Sequence, residues 1–581
     1  MIKMKELQKI LKERHIKYYI IPTDDDHQSE MVGDFYQFRR YLSHFTGSAG
    51  TLLVGQDDAY LWTDGRYFLQ AQEQLPNDIT LMKMRMPGVP TLSEFLAQHL
   101  EEDDVLGFDG QVMNASFILD LEEELPFDLK FEDVDLSYIW KDRPERSHEA
   151  VYLYDDTYNG MDYKIKLEWV RDYMDANEIN HHLIASLDDI AWLFNIRGND
   201  IPCTPVALAF AIVHETTATL YLQKGTYDQE FIDHFKDNVI IKDYEDVYKD
   251  VANLNGTLLV DLSHINYQLF NHINCEFYDE PNPTQWFKAI KNETEIKNTT
   301  WAHIKDGVAV TKFMYYLKNN IQEGTHTEMS LAQKLEDFRK EQVNYIEPSF
   351  DTICAYKENG AIIHYQATKE HNSVVKPEGL LMIDSGGQYL EGTTDITRTF
   401  VLGDLTNEER RDFTLVAKCW LGLMHLKFPY GMTGVNVDTV ARAPLWAYGL
   451  DFRHGTGHGV GHFLSVHEGP QGIRPFDEES VKIEPGMITS DEPGVYIEGS
   501  HGIRHENLLL CVKAEKTDYG QFLKFVPLTM VPLDLDGLDV SLLSEQEKAQ
   551  LNSYHDQVYK TISPYLTKEE REWLAIYTRA I

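Results

Sequence analysis

Near the start of the chain, Met4, Leu7 and Leu11 recur at helical spacing, and the apolar run 18–22 (YYIIP) follows. This reads as an amphipathic helix leading into a buried strand, the opening of an α/β unit. The stretch YLSHFTGSAGTLLVGQDDAYLW (41–62) gives two apolar strands around a GQDD turn, and YFLQAQEQL continues as a helix. The same grammar returns near residue 160. Leu167, Val170 and Met174 form a helical stripe, HHLIA a strand, ALAFAIVHETTATLYL (207–222) a strand hairpin and YDQEFIDHF a closing helix. DIAWLFNIRG (189–198) takes the place of YLSHFTG, so two tandem copies of one α/β domain are expected, 1–155 and 156–290, parted by the polar stretch KDRPERSHE. After PNPTQWFKAIK, the residues Trp301, Ile304, Val308 and Tyr315 mark a long amphipathic helix that opens a third domain, 291–525. In the tail, 526–581, Ser544 with Glu547 and Thr567 with Glu570 form two capping boxes, each opening a helix.

The third domain holds the chemistry. In LLMIDSGGQYLEGTTDITRTF (380–400) an apolar strand ends at Asp384, Gly386-Gly387 makes a turn, and Asp395 falls in a second strand, so two carboxylates face each other across a hairpin. HGTGHGVGHFLSVHEGP (454–470) clusters imidazoles among glycines that argue against a regular helix. SDEPGVYIEGSHGIRHENLLL (490–510) repeats the hairpin with Glu492 and Glu506. The set Asp384, Asp395, His458, Glu492 and Glu506 suits two divalent ions, whose charge offsets the repulsion of four carboxylates. Oxygen-rich ligands with one imidazole favour Mn²⁺, with Zn²⁺ and Co²⁺ as alternatives. A water shared by such a pair becomes a hydroxide nucleophile at neutral pH.

A chain of 581 residues with 43% hydrophobic content calls for about three packed domains. Its net charge of -41 repels phosphate backbones and anionic membranes, which argues against nucleic-acid and membrane partners. The 5 cysteines are scattered without CxxC spacing and read as reduced core residues. Neither an export signal nor a spanning apolar run is evident, and a cytoplasmic protein is expected.

The motifs MIDSGGQY…TTDITRTF, HGTGHGVGHFLSVHEGP, DEPGVY and GIRHENL, in order and together with RRYLSHFTGSAG, LWTDGRYFLQA and DIAWLFNIRGNDI, resemble those of aminopeptidase P, the Xaa-Pro aminopeptidases of the pita-bread metallopeptidase family. The resemblance, to the long three-domain cytosolic form, covers essentially the whole chain. It implies two creatinase-like N-terminal α/β domains, a pita-bread catalytic domain and a small C-terminal helical appendage. It also implies a metal-dependent aminopeptidase that hydrolyses the N-terminal Xaa-Pro bond of peptides through a metal-bridged hydroxide, and a homodimer. By resemblance Glu492 is both ligand and general base, Glu506 the bridging ligand, and His458 a ligand of one metal. His454 and His467 face the substrate and stabilise the tetrahedral intermediate. His364, in the apolar run AIIHYQA, follows a strand at the substrate pocket as a proton shuttle or substrate hydrogen-bond partner, while Tyr496 and Arg504 complete the substrate site. His462 has no motif role and is read as structural. Arg398 is a candidate salt-bridge partner for one of the aspartates. Asp64, Arg66 and Trp192 are open between entrance, subunit-contact and structural roles.

Three other readings compete. Prolidase shares the five ligands but cleaves only dipeptides. Creatinase-type hydrolysis uses the fold without metal, and a non-enzymatic peptide-binding relative would have lost ligands. Retention of all five disfavours the last two, and the duplicated N-terminal module with the HGTGHGVG form favours the aminopeptidase over prolidase.

Overall fold

The computed structural model describes residues 2–322, 324–369, 371–477 and 480–581. They form two compact units: Met1–Asp156 with Met161–Gln285, and Thr157–Gly160 with Trp286–Ile581.

The first unit carries the two repeats. Each is a six-stranded sheet with the same wiring. In the first, the strand order is Thr80–Lys83, Ala59–Thr63, Thr51–Gly55, Ile16–Ile21, Val105–Phe108, Lys130–Asp133. In the second it is Val239–Asp243, Ala218–Leu222, Ala209–His214, His181–Ile184, Thr257–Val260, Glu276–Asp279. In both, the founding strand pairs antiparallel with the hairpin and parallel with the strand on its other side. Alternation explains the all-apolar run 18–21. Tyr19 and Ile21 pack on one side with Leu7 and Leu11 of the first helix, while Tyr18 and Ile20 pack on the other with Trp62 and Phe95. A buried polar contact ties one repeat to the other. Tyr36 and Tyr244 donate to the two oxygens of Asp26 at 2.7 and 2.5 Å, and His27 spans Tyr244 Oη at 2.5 Å and the carbonyl of Ala185 at 2.8 Å.

The second unit opens with the helix Glu293–Asn320, whose start is fixed by the capping box of Asn292 and Glu295. Of the expected stripe, Val308 is buried and Ile304 packs against the core, but Trp301 is 40% exposed; the buried face also runs through Ala302, Ala309, Phe313 and Leu317. A three-stranded sheet (Ile353–Tyr356, Leu380–Ser385, Ile396–Val401) and a six-stranded one containing Gly457–Gly459, Ile488–Asp491, Asn507–Thr517 and Gly520–Pro527 form its centre. Helices Glu328–Lys340, Asn407–Met424 and Gly434–Trp446 complete the core. Both predicted tail helices, Glu545–Ile562 and Lys568–Tyr577, begin at their capping boxes. Residues 157–160 belong to this unit. The main-chain carbonyls of Thr157, Tyr158 and Asn159 accept from Asn298, from His462 and Asn298, and from Asn292 respectively. Among the described residues no helix is long and apolar enough to cross a membrane.

Candidate active site

Of the five predicted ligands, Asp384 and His458 lie within strands, whereas Asp395, Glu492 and Glu506 sit just outside them, at breaks in the ladders. Asp384 lies within Leu380–Ser385, but Asp395 precedes Ile396–Val401 by one residue instead of lying inside it. The residue opposite Asp384 is Thr397, because a second small hairpin, Gly387–Tyr389 with Gly392–Thr393, is inserted between the two strands. Glu492 and Glu506 occupy facing breaks between two ladders, Asp491 opposite Asn507 on one side and Gly494 opposite Arg504 on the other. His458 is in the short strand Gly457–Gly459, and the glycine-rich stretch around it is not helical. The glycines are needed there. A Cβ on Gly457 would come within 1.9 Å of the Ser490 carbonyl.

Asp395, His458 and Glu506 bring ligand atoms within 4.8 Å of one another. His458 Nε2 stands 3.5 Å from Asp395 and 3.3 Å from Glu492. Asp384 joins through Arg504, whose Nη2 donates to its Oδ2 at 2.5 Å. Burial with mutual repulsion among these carboxylates raises the pKa values of Asp384 and Glu506, and pushes Glu492 up to about 7. Burial opposes the charge on His458, but the carboxylates of Asp395 and Glu492 outweigh it and take the imidazole up to about 9. Asp384 Oδ1, Asp395 Oδ1 and Glu506 Oε1 are buried without a hydrogen-bond partner. An uncompensated carboxylate oxygen costs several kcal/mol, and divalent cations are the partners this donor set fits.

Around the ligands, hydrogen bonds run in a defined order. Arg504 Nη1 donates to Tyr496 Oη at 2.7 Å. The tyrosine hydroxyl in turn lies 2.8 Å from His454 Nε2, and His454 Nδ1 lies 2.7 Å from the carbonyl of Gly455. Since a carbonyl only accepts, Nδ1 carries a proton and Nε2 of the neutral ring accepts from Tyr496. The His467 ring packs edge-on to His458 with centroids 4.4 Å apart. His364 is half-buried in a turn, and the segment before it, Lys357–Ala361, is a 3₁₀ helix rather than a strand. A close backbone approach sets that turn: a Cβ on Gly502 would stand 1.7 Å from the Gly360 carbonyl. His462 bridges Thr299 and the Tyr158 carbonyl, in keeping with a structural role. Arg398 does not pair with either aspartate. It donates to the main-chain carbonyls of Thr397, Glu506 and Val531 and to Asn507. In the other unit, Arg66 forks onto Asp64 at 2.9 and 2.8 Å, and Trp192 is buried.

Two hydroxyls were not singled out by the sequence. Ser490 Oγ accepts from the His458 amide at 2.9 Å and donates to Glu492 Oε1 at 3.2 Å. Thr397 Oγ1 donates to Glu506 Oε2 at 2.7 Å. Each stands two residues from a predicted ligand, Ser490 from Glu492 and Thr397 from Asp395, but only the tertiary contact gives the hydroxyl its meaning.

The model of metallopeptidase family M24 matches residues 298–513, that of the creatinase/prolidase N-terminal domain matches 3–143 and 142–295, and that of the C-terminal region of this peptidase family matches 521–581. The chain is 37% identical over 606 residues to a protein described as "Probable Xaa-Pro aminopeptidase P" of Paracoccidioides lutzii, covering 99% of this chain and 98% of that protein. It belongs to the aminopeptidase P family. The crystal structure of X-prolyl aminopeptidase from Caenorhabditis elegans, described as a cytosolic enzyme with a di-nuclear active site, superimposes on it with a TM-score of 0.93 at 33% identity, covering 97% of this chain and 95% of that one. The Xaa-Pro dipeptidase from Bacillus anthracis, at 21% identity and a TM-score of 0.52, shares the fold over 64% of this chain and 99% of its own. Full-length correspondence is thus to aminopeptidase P, and the two creatinase-like domains followed by a pita-bread domain are the architecture of the chain.

Proposed function

We propose that this aminopeptidase P family member is a metal-dependent aminopeptidase that releases the first residue from peptides with proline in second position. The observation that carries this reading is the gathering of Asp395, His458 and Glu506 ligand atoms within 4.8 Å of one another, beside buried carboxylate oxygens of Asp384, Asp395 and Glu506 that have no hydrogen-bond partner. Asp384, Asp395, His458, Glu492 and Glu506 would hold two divalent ions, Mn²⁺ by the hardness of the ligands, with Zn²⁺ and Co²⁺ as alternatives. Bound there, such ions supply Lewis-acid charge to the scissile carbonyl and lower the pKa of water.

The chain's own groups account for the rest. An Xaa-Pro bond is a tertiary amide, so its nitrogen must gain a proton before it can leave as an amine. Glu492 is the carrier, taking a proton from water and passing it on, and Ser490 Oγ donates to its Oε1. Burial and the neighbouring carboxylates push its pKa up to about 7, against the pull of His458 and Arg504. His454 works with Tyr496. To donate to a developing oxyanion it must be imidazolium, because its neutral Nε2 is an acceptor. His364, His467, Tyr496 and Arg504 are the candidates for the walls that pack the pyrrolidine ring, with the buried Arg504 acting from beneath through Tyr496. The domain limits 1–155, 156–290, 291–525 and 526–581, a homodimer and a cytoplasmic location belong to the same reading.

The test is to strip the protein with chelator, restore Mn²⁺ and follow an Xaa-Pro-Yaa tripeptide and its Xaa-Pro dipeptide by mass spectrometry. Metal-restored release of free Xaa from the tripeptide is expected. Cleavage of the dipeptide alone would assign a prolidase, and no cleavage of either would leave a peptide-binding protein.

A further inference from the structure

We propose that the hydroxyl of Thr397 is a positioning group that locks the metal ligands of two separate sheets into one frame. The inference rests on the metal-binding reading of the site and concerns a residue to which that reading gives no role. Thr397 is fully buried directly across the ladder from Asp384, and it grips Glu506 twice. Its carbonyl accepts the Glu506 amide at 3.0 Å, and its Oγ1 lies 2.7 Å from Glu506 Oε2. Arg504 Nε lies 3.2 Å from the same Oγ1.

A hydroxyl has one proton, and a guanidinium only donates. With Glu506 ionised, as a metal ligand must be, the polarity is fixed: Arg504 Nε–H donates to Thr397, and Thr397 O–H donates to Glu506 Oε2. Held by both grips, the Glu506 carboxylate cannot rotate freely, and it is Oε1 that remains unpartnered. The same guanidinium holds Asp384 Oδ2 through Nη2, leaving Asp384 Oδ1 unpartnered in the same way. Asp384 belongs to the three-stranded sheet, and Glu506 leads into the strand Asn507–Thr517 of the six-stranded one. One hydroxyl thus sets the orientation of a ligand from each. Groups that orient ligands in this manner change metal affinity by about 10- to 100-fold when removed.

The contrast between two near-isosteres separates positioning from packing. Thr397→Val keeps the shape and loses the hydroxyl; Thr397→Ser keeps the hydroxyl and loses a methyl. Titration calorimetry of Mn²⁺ into chelator-stripped protein is expected to show affinity 10- to 100-fold weaker in Thr397→Val and within about threefold of wild type in Thr397→Ser. A residue that merely packs would give the reverse order. Should Thr397→Val not fold, Thr397→Ala set against Thr397→Ser gives the same contrast. Wild-type affinity in the variant lacking the hydroxyl, or a Ser variant weaker than the Val or Ala one, overturns the proposal alone. Absence of uptake of Mn²⁺, Zn²⁺ and Co²⁺ alike by the wild type overturns the proposal and the metallopeptidase reading together.

Discussion

Metal loading of this site should expel protons, and the number can be worked from its electrostatics. In the metal-free protein, burial opposes the charge of His458 but its carboxylate neighbours prevail and carry it up to about 9, while burial and neighbouring charge lift Glu492 to about 7. At pH 7 the imidazole therefore holds about one proton to be lost and the glutamate about half of one, since ligands must be deprotonated to bind. Together they release about 1.5 protons per loaded site, and Asp384 and Glu506, both raised, can only add to it. The sign follows directly. Protons compete with metal, so affinity rises with pH, by about 30-fold per unit near pH 7 for 1.5 protons. The assay is calorimetric titration of stripped protein in buffers of different ionisation enthalpy, where the slope of observed heat against buffer enthalpy gives the proton number. A slope near zero at pH 7 would refute the reasoning, because it would mean that the carboxylates and His458 are already deprotonated without metal.

Other expectations follow from single contacts. Tyr244→Phe removes the hydroxyl shared by Asp26 and His27, leaving buried polar atoms of both repeats short of a partner; a loss of about 2–4 kcal/mol is expected by chemical denaturation of the first unit, and an unchanged midpoint would contradict the inter-repeat tie. Asp395→Asn should lower bound metal below two ions per chain, read by elemental analysis, and reduce turnover by about 10³-fold or more; full loading would count against Asp395 as a ligand. Gly502→Ala forces the Gly360 carbonyl away from 1.7 Å and displaces the turn that bears His364; KM for the tripeptide should rise with metal content unchanged, and normal kinetics would dissociate that turn from substrate binding.

The repeated domains were legible because strand and helix periodicities are local, and two passes of one pattern reinforce each other. Both capping boxes of the tail and the helical stripe of Leu167, Val170 and Met174 appear where the sequence places them. The misreadings arise where tertiary structure decides. Trp301 is apolar and in phase, yet it faces outward because the helix is covered chiefly on another face. Asp395 lies outside its strand because an inserted hairpin takes up the slack, and no periodicity announces such an insertion. Arg398 is closest in sequence to Asp395, but its guanidinium serves distant carbonyls, and Arg504 takes the aspartate. Thr397 and Ser490 escaped notice because hydroxyls have no charge pattern and gain meaning only from what lies opposite.

Four residues of the amino-terminal half, Thr157–Gly160, are counted among the catalytic unit. The polypeptide therefore passes between the two units three times, at 156/157, 160/161 and 285/286. A unit interrupted in this way is not a cassette. Recombination at the apparent border near residue 286 would transplant a catalytic half whose Asn292, Asn298 and His462 have lost the carbonyls they serve.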